Sequence, residues 1–116
     1  MEIFDIKRGD ILVAKHNDLE DYEFERDYII FIASGSKLSI SSGNGYICYS
    51  IPVIVSIDLS NAFNVGGSAG YTTFVNISYK SSELRKPTVS EMLDILSRLR
   101  QFGYKYNKKT KNIEKL

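Results

Sequence analysis

The final 29 residues carry the pattern that most limits what this chain can fold into. Thr88 is followed three residues later by Glu91, the capping-box spacing in which a hydroxyl and a carboxylate each bond an otherwise unpaired backbone N–H. Pro87 precedes this pair, and Gly103 provides a left-handed stop. The spacing therefore predicts one helix that begins at Thr88 or Val89 and ends before Gly103.

The predicted helix is amphipathic. At 100° per residue, apolar side chains fill about half of its circumference, with Arg100 as a polar intruder. The apolar set is Val89, Met92, Leu93, Ile95, Leu96, Leu99 and Phe102. A face this wide stabilises the fold only when it is covered, since each buried Leu or Phe contributes roughly 1.5 to 3 kcal/mol. We therefore expect the helix to lie on a sheet formed by the preceding residues.

The residues after Gly103 are predicted to form a β-hairpin with a basic turn. Tyr104 and Tyr106 on the first strand, and Ile113 and Leu116 on the second, are expected on the side of the helix. Its lysines are candidate contacts to a partner or to nucleic acid: Lys105, Lys108, Lys109, Lys111 and Lys115. Because an isolated hairpin is marginal in water, we expect this one to dock on the sheet.

This tail also carries a recognisable run, G-Y-x-Y-N followed by a K-T-K turn. It resembles the C-terminal module of small uncharacterised proteins from gut Bacteroides-type bacteria, their phages and mobile elements. Members of that group often have Trp where this chain has Tyr106. The matching positions are Arg85, Glu91, Leu96, Gly103, Tyr104, Tyr106, Asn107, Lys109, Thr110, Lys111, Glu114 and Leu116. The resemblance implies a phage or mobile-element setting and brings no known activity with it.

Residues 1–84 are predicted to be mostly β-structure. The apolar run Tyr28–Ala33 is typical of a central strand covered on both sides, and Asn44-Gly45 predicts a tight hairpin. Pro52 favours an edge strand or a bulge, since it cannot donate to a ladder. Residues 61–70 are expected to form a loop, and residues 81–87 a link to the helix.

Together these elements predict a single α+β domain over residues 1–116, with residues 85–116 as the helix plus basic hairpin. We expect a small, twisted antiparallel sheet or partly open β-barrel of five to seven strands, with the helix packed on one face. No window of 18 uncharged apolar residues occurs, and one cysteine excludes an internal disulfide framework. The expected protein is soluble and cytoplasmic, without a membrane partner.

Charge is unevenly distributed along the chain. From Arg85 onward the chain has nine basic and three acidic residues, a net charge of +6, whereas the preceding residues carry a net charge of −5. Residues 17–27 hold six acids and one arginine. They are either a solvated loop or an acidic patch that contacts a basic partner or this chain's own tail, with Asp18, Glu20, Asp21 and Glu23 as candidate contacts. Their spacing does not match an EF-hand calcium loop.

Groups with catalytic potential are sparse. His16 and Cys48 could act together as base and nucleophile, but the sequence offers no third residue to orient them, and a mid-strand cysteine usually packs as a small hydrophobe. The glycine-rich residues 66–70 lead into a predicted strand rather than a helix, which does not match a phosphate-binding loop. We therefore predict no catalytic residue, cofactor or metal.

Three function classes remain open. The first is a non-enzymatic protein-interaction module of a phage or mobile element, which binds a protein partner or associates with itself. The second is a nucleic-acid-binding accessory protein that uses the basic hairpin, and the third is a small enzyme. Lysines bind phosphate without selecting a sequence, so nucleic-acid binding of this kind would be weak and sensitive to salt.

Overall fold

A computed structural model gives the fold of residues 6–16, 28–34, 39–43, 46–65, 73–78 and 82–116. It is an α+β arrangement of an antiparallel sheet, one helix (α1) and a C-terminal hairpin. The helix α1 spans Val89–Gln101. The strands are β1 Ile11–His16, β2 Tyr28–Ala33, β3 Ser39–Gly43, β4 Tyr46–Ile57, β5 Phe63–Val65, β6 Thr73–Ser78, β7 Ser82–Arg85, β8 Tyr104–Asn107 and β9 Asn112–Lys115.

The long strand β4 organises the sheet. Its first half pairs with β3 along one edge and with β6 along the other, and its second half pairs in the same way with β2 and β5. From β2 the sheet continues through β1 to β7. In the part of the chain that the structure describes, these seven strands are not closed into a barrel, so the open sheet is the correct alternative.

A β-bulge in β4 divides the apolar residues between the two faces of the sheet. The register shifts between Ile32 and Ala33, whose partners are Val55 and Val53, so Ile54 is the extra residue. Since side chains alternate along a strand, one extra residue sends Val53 and Val55 to opposite faces. Both faces therefore carry a core.

The two cores share the central strands. One contains Leu12, Phe31 and Val53, on the face of the sheet opposite α1. The other contains Ile30 and Ile32 under α1, and Ile95 and Leu99 of the helix are fully buried there. The prediction that Tyr28–Ala33 is a central strand covered on both sides is thus confirmed.

The start of α1 follows its sequence signature. Thr88 is the N-cap, its hydroxyl accepts from the Glu91 backbone N–H at 3.2 Å, and the Glu91 carboxylate accepts from the Thr88 N–H at 2.8 Å. At the other end Gly103 adopts a left-handed φ of 90°. The predicted helix boundaries are confirmed because both signals are local.

Two predictions about the sheet were wrong. Residues 61–70 were expected to form a loop, yet Phe63–Val65 form β5 against β4. Residues 81–87 were expected to be a link, yet Ser82–Arg85 form β7 against β1. For Pro52, which favours an edge or a bulge, the bulge alternative is confirmed by the extra residue Ile54 in the same strand. Short, polar strands such as β7 have too little periodicity to be recognised from sequence.

Candidate functional site

The C-terminal hairpin docks on the turn that precedes β1. The Tyr106 hydroxyl donates to the Gly9 carbonyl at 2.6 Å, and Lys111 Nζ pairs with Asp10 Oδ1 at 2.9 Å. Arg8 Nε also donates to Asn112 Oδ1 at 3.2 Å. Gly9 has φ of 85° and lies against the Lys111 backbone, where a Cβ would overlap. The turn and the hairpin therefore fit together closely.

This docking divides the five candidate lysines into two groups. Lys111 is held by Asp10, and Lys105 lies 3.7 Å from Glu114 across the hairpin. The remaining three are exposed and make no salt bridge to a residue that the structure describes: Lys108, Lys109 and Lys115. Lys111 remains exposed although it is paired, and its hydrogen bond to Asp10 raises its pKa.

The hairpin tyrosines are packing residues. Tyr104, Tyr106 and Ile113 pack against the core beneath α1, as predicted. Burial raises the pKa of Tyr106, and the nearby charges of Lys111 and Asp10 act in opposite directions on it. Leu116, which was expected on the same side, is 64% exposed. The half-buried tyrosine rings are thus poorly placed to stack on nucleic-acid bases.

A pocket of about 670 Å³ lies between the β1 turn, α1 and the hairpin, and we call it the lysine-rimmed pocket. Its volume falls in the range of about 300 to 1,000 Å³ typical of ligand sites. The apolar residues that line it are Ile11, Leu12, Pro87, Met92 and Leu96. Its polar lining consists of Lys7, Gly9, Asp10, Lys86, Tyr106, Lys108 and Lys111. The pocket thus combines an apolar wall with a cationic rim.

The rim has an excess of positive charge. Four lysines line the pocket, and Asp10 is the one acid among the lining residues, already paired with Lys111. The ammonium groups of Lys7, Lys86 and Lys108 form no salt bridge within the described ranges, and all three side chains are exposed. The sequence pattern pointed to Lys108 and Lys111 but missed Lys7 and Lys86, because only the fold brings these distant residues to one place.

One flank of α1 continues the apolar wall of the pocket, and we call it the open flank. Val89 and Leu93 lie one helical turn from Met92 and Leu96 on the same side. They are 77% and 63% exposed. The prediction that the whole apolar face is covered is therefore wrong: the sheet buries its centre and leaves this edge uncovered.

The opposite flank of α1 is held by contacts, and we call it the fixed flank. Arg98 bonds Asp94 at 2.9 Å and donates to the Asn61 carbonyl and side-chain oxygens at 2.7 and 2.6 Å. Phe102, although 56% exposed, lies with its ring centroid 4.7 Å from that of Phe63. These contacts attach the helix to the turn before β5.

The turn that receives Arg98 is itself ordered by Asp58. Its carboxylate accepts from the Ser60 N–H and hydroxyl, the Ala62 N–H and the Asn64 amide. Burial alone would raise the pKa of Asp58, but these hydrogen bonds outweigh it and lower the pKa. Asn61 adopts a left-handed φ of 67° in this turn. The fixed flank therefore rests on a well-bonded support.

Several residues behind the sequence resemblance have structural roles. Arg85 makes two 2.7 Å bonds to the Glu91 carboxylate, and these bonds lower the pKa of Glu91 to about 2 against the opposing effect of burial. The Asn107 side chain accepts from the N–H groups of Lys109 and Thr110 and donates to Glu114. These matches are therefore accounted for by helix capping and hairpin geometry.

Other predicted site residues lie beyond what the structure describes. The acidic residues Asp18, Glu20, Asp21 and Glu23 fall outside the described residues, as does the glycine-rich stretch 66–70. His16 and Cys48 lie on β1 and β4, which do not pair with each other, and their side chains are not described.

The described residues hold neither a metal-ligand cluster nor a membrane-spanning helix. Within those ranges no three His, Cys, Asp or Glu side chains come together as metal ligands. No helix there is long and apolar enough to cross a membrane.

Comparison of the chain with protein-family models, with curated proteins and with solved structures gave no match.

Proposed function

We propose that this protein is a non-enzymatic interaction module that binds an acidic, amphipathic segment of a partner protein in the lysine-rimmed pocket. The observation that carries this proposal is that an exposed apolar edge of α1 adjoins a group of exposed lysines. The exposed apolar edge formed by Val89 and Leu93 continues into a pocket with three exposed lysines, none of which forms a salt bridge to a described residue. The resemblance of the tail adds a phage or mobile element as the proposed setting.

The two surfaces would contribute differently to binding. Apolar side chains of the partner would cover Met92, Leu96 and the open flank, at roughly 25 cal/mol per Å² of apolar surface removed from water. Carboxylates of the partner would face Lys86 and Lys108. Exposed ion pairs contribute only about 0 to 1 kcal/mol each, so their larger effect is on orientation and association rate. The binding free energy would therefore come mainly from apolar burial, and the selectivity for acidic sequences from the lysines.

Nucleic-acid binding is the second candidate, and one observation favours it. Lys108 and Lys109 are adjacent, exposed and without a salt bridge to a described residue at the tip of the hairpin. Such a pair can contact phosphates, but the packed tyrosines beside it offer little surface for stacking. The tip alone supports weaker binding than the pocket does.

A titration monitored by NMR tests the pocket. We expect a short synthetic peptide of alternating Glu and Leu or Tyr to shift the backbone amide signals of Met92, Leu96 and Lys108 in the isotope-labelled protein. The same peptide with Lys in place of Glu should leave them unshifted, because it meets like charge at the rim. Equal binding of both peptides, or shifts confined to other surfaces, would contradict the proposal.

The neighbouring lysines at the hairpin tip provide a matched pair of variants. Lys108→Glu places a carboxylate at the pocket and should weaken acidic-peptide binding by about ten-fold, since it removes an attraction and adds a repulsion. Lys109→Glu makes the same charge change on a residue that does not line the pocket. The affinity of this variant for the acidic peptide should therefore stay near that of the wild type. Retention on single-stranded DNA at about 50 mM salt, lost equally in both variants, would favour the nucleic-acid candidate instead.

A further inference from the structure

We propose that the acidic partner segment is residues 17–27 of a second copy of this chain, so that the protein associates head to tail. This inference rests on the proposed function, because it names the occupant of the same pocket. Residues 17–27 carry a net charge of −5 and place Leu19, Tyr22 and Phe24 among their acids. That composition matches the cationic rim and apolar wall of the lysine-rimmed pocket.

The strand β1 separates the two surfaces within one copy. The pocket lies beside Ile11 and Leu12, at the start of β1. The acidic residues follow His16, at its end, and the chain returns at Tyr28, which pairs with Lys15. Five residue steps of strand span about 17 Å. The donor segment and the acceptor pocket therefore belong to opposite ends of the same strand.

The surroundings of β1 disfavour binding within one copy. An 11-residue excursion whose ends are held together reaches at most about 19 Å, so it would have to run back along β1 almost fully extended. Both edges of β1 are already paired, one with β2 and the other with β7. Its two faces are covered as well, since Val13 and Leu12 are buried on opposite sides. Binding to the pocket of a second copy does not require the segment to run back along β1.

A contact of this kind joins two different surfaces. Each copy then offers one donor segment and one acceptor pocket, which is a heterologous interface. Association should therefore increase with protein concentration beyond a pair. It should also weaken about ten-fold between about 50 and 500 mM salt, because exposed charges at the rim are screened.

Mixing two variants of the full chain tests the inference by sedimentation velocity. The acceptor variant carries Lys86→Glu and Lys108→Glu. The donor variant replaces Asp18, Glu20, Asp21 and Glu23 by Asn or Gln. Each variant alone should remain monomeric, whereas an equimolar mixture should form one-to-one pairs, because the intact donor of one meets the intact acceptor of the other. Circular dichroism should confirm that both variants are folded.

The outcomes separate this inference from the proposed function. A mixture that stays monomeric, or single variants that associate like the wild type, would overturn head-to-tail association. If the wild type stays monomeric at low salt while the Glu-rich synthetic peptide binds the pocket, the self-association inference fails and the proposed function survives. If the peptide does not bind the pocket either, both fail.

Discussion

The two flanks of α1 belong to one amphipathic helix, but one is anchored by contacts and the other is exposed. On the fixed flank, Arg98 bonds Asn61 twice and the Phe102 ring lies beside that of Phe63. On the open flank, Val89 and Leu93 remain largely exposed above the lysine-rimmed pocket. The sheet covers only the centre of the helix, through Ile95 and Leu99 and their apolar neighbours.

This difference indicates how the helix can stay in place while one of its apolar edges is exposed. A helix that exposed large apolar side chains without other anchors would gain little from docking, since burial supplies most of the stability of a helix on a sheet. Here the polar contacts of the fixed flank add support at one edge. The other edge can then remain exposed without loss of the position of the helix.

The largest effect should come from the centre that both flanks share. Leu99 is fully buried, so Leu99→Ala should lower the free energy of unfolding by about 2 to 5 kcal/mol through lost burial and a residual cavity. Leu93→Ala makes the same change on the open flank and should alter it by no more than about 0.5 kcal/mol. Urea unfolding measures both. Equal losses would show that the open flank is part of the core.

The next effect concerns the bond that holds the start of α1 to β7. The Arg85 hydrogen bonds hold the pKa of Glu91 at about 2, below its ordinary 4.5. A lowered pKa in the folded state means that its contribution is full above pH 4.5 and is lost as the pH falls towards 2. Because Arg85 is 39% exposed, solvent screening reduces the contribution, and we expect Glu91→Gln to cost about 2 kcal/mol at neutral pH.

Unfolding of this variant and of the wild type across that pH range provides the measurement. The gap in unfolding free energy between them should narrow steadily from pH 4.5 to 2. A gap that is independent of pH would mean that Glu91 acts through its shape rather than its charge.

The smallest effect should come from the fixed flank itself. Arg98→Ala removes the bonds to Asn61 and Asp94 and should cost about 1 kcal/mol, because charged hydrogen bonds at a partly exposed site gain little over water. Arg100→Ala is the control on an exposed position of the same helix and should change stability by less than about 0.5 kcal/mol. Thermal unfolding compares the two; equal melting temperatures would mean that the two flanks are held alike.

Local patterns allowed the helix and hairpin to be predicted from sequence. Thr88 and Glu91 determine where α1 begins through contacts three residues apart, and the alternation of Tyr104 and Tyr106 places them under the helix. The periodicity of the sequence gives the width of the apolar face of α1, but not which part of that face is buried against the sheet. The exposure of Val89 and Leu93 therefore could not be derived.

The pocket could not be predicted for a related reason. Lys7 and Lys86 are separated from the basic hairpin along the chain and join it only through the pairing of β1 with β7 and the docking of the hairpin on the Gly9 turn. Nothing in the spacing of these lysines indicates that they share a site. The acidic stretch, in contrast, is visible in the sequence because its residues are consecutive.

The contact between Gly9 and the hairpin has a consequence for folding. Its hydrogen bonds join residues that are 97 to 104 positions apart, so they close almost the whole chain into one loop. Contacts of such high sequence separation form slowly, since much chain entropy is lost before they are made. The hairpin is also synthesised after the sheet. On the ribosome, a nascent chain should therefore complete the sheet first and add the hairpin in a final, separate step.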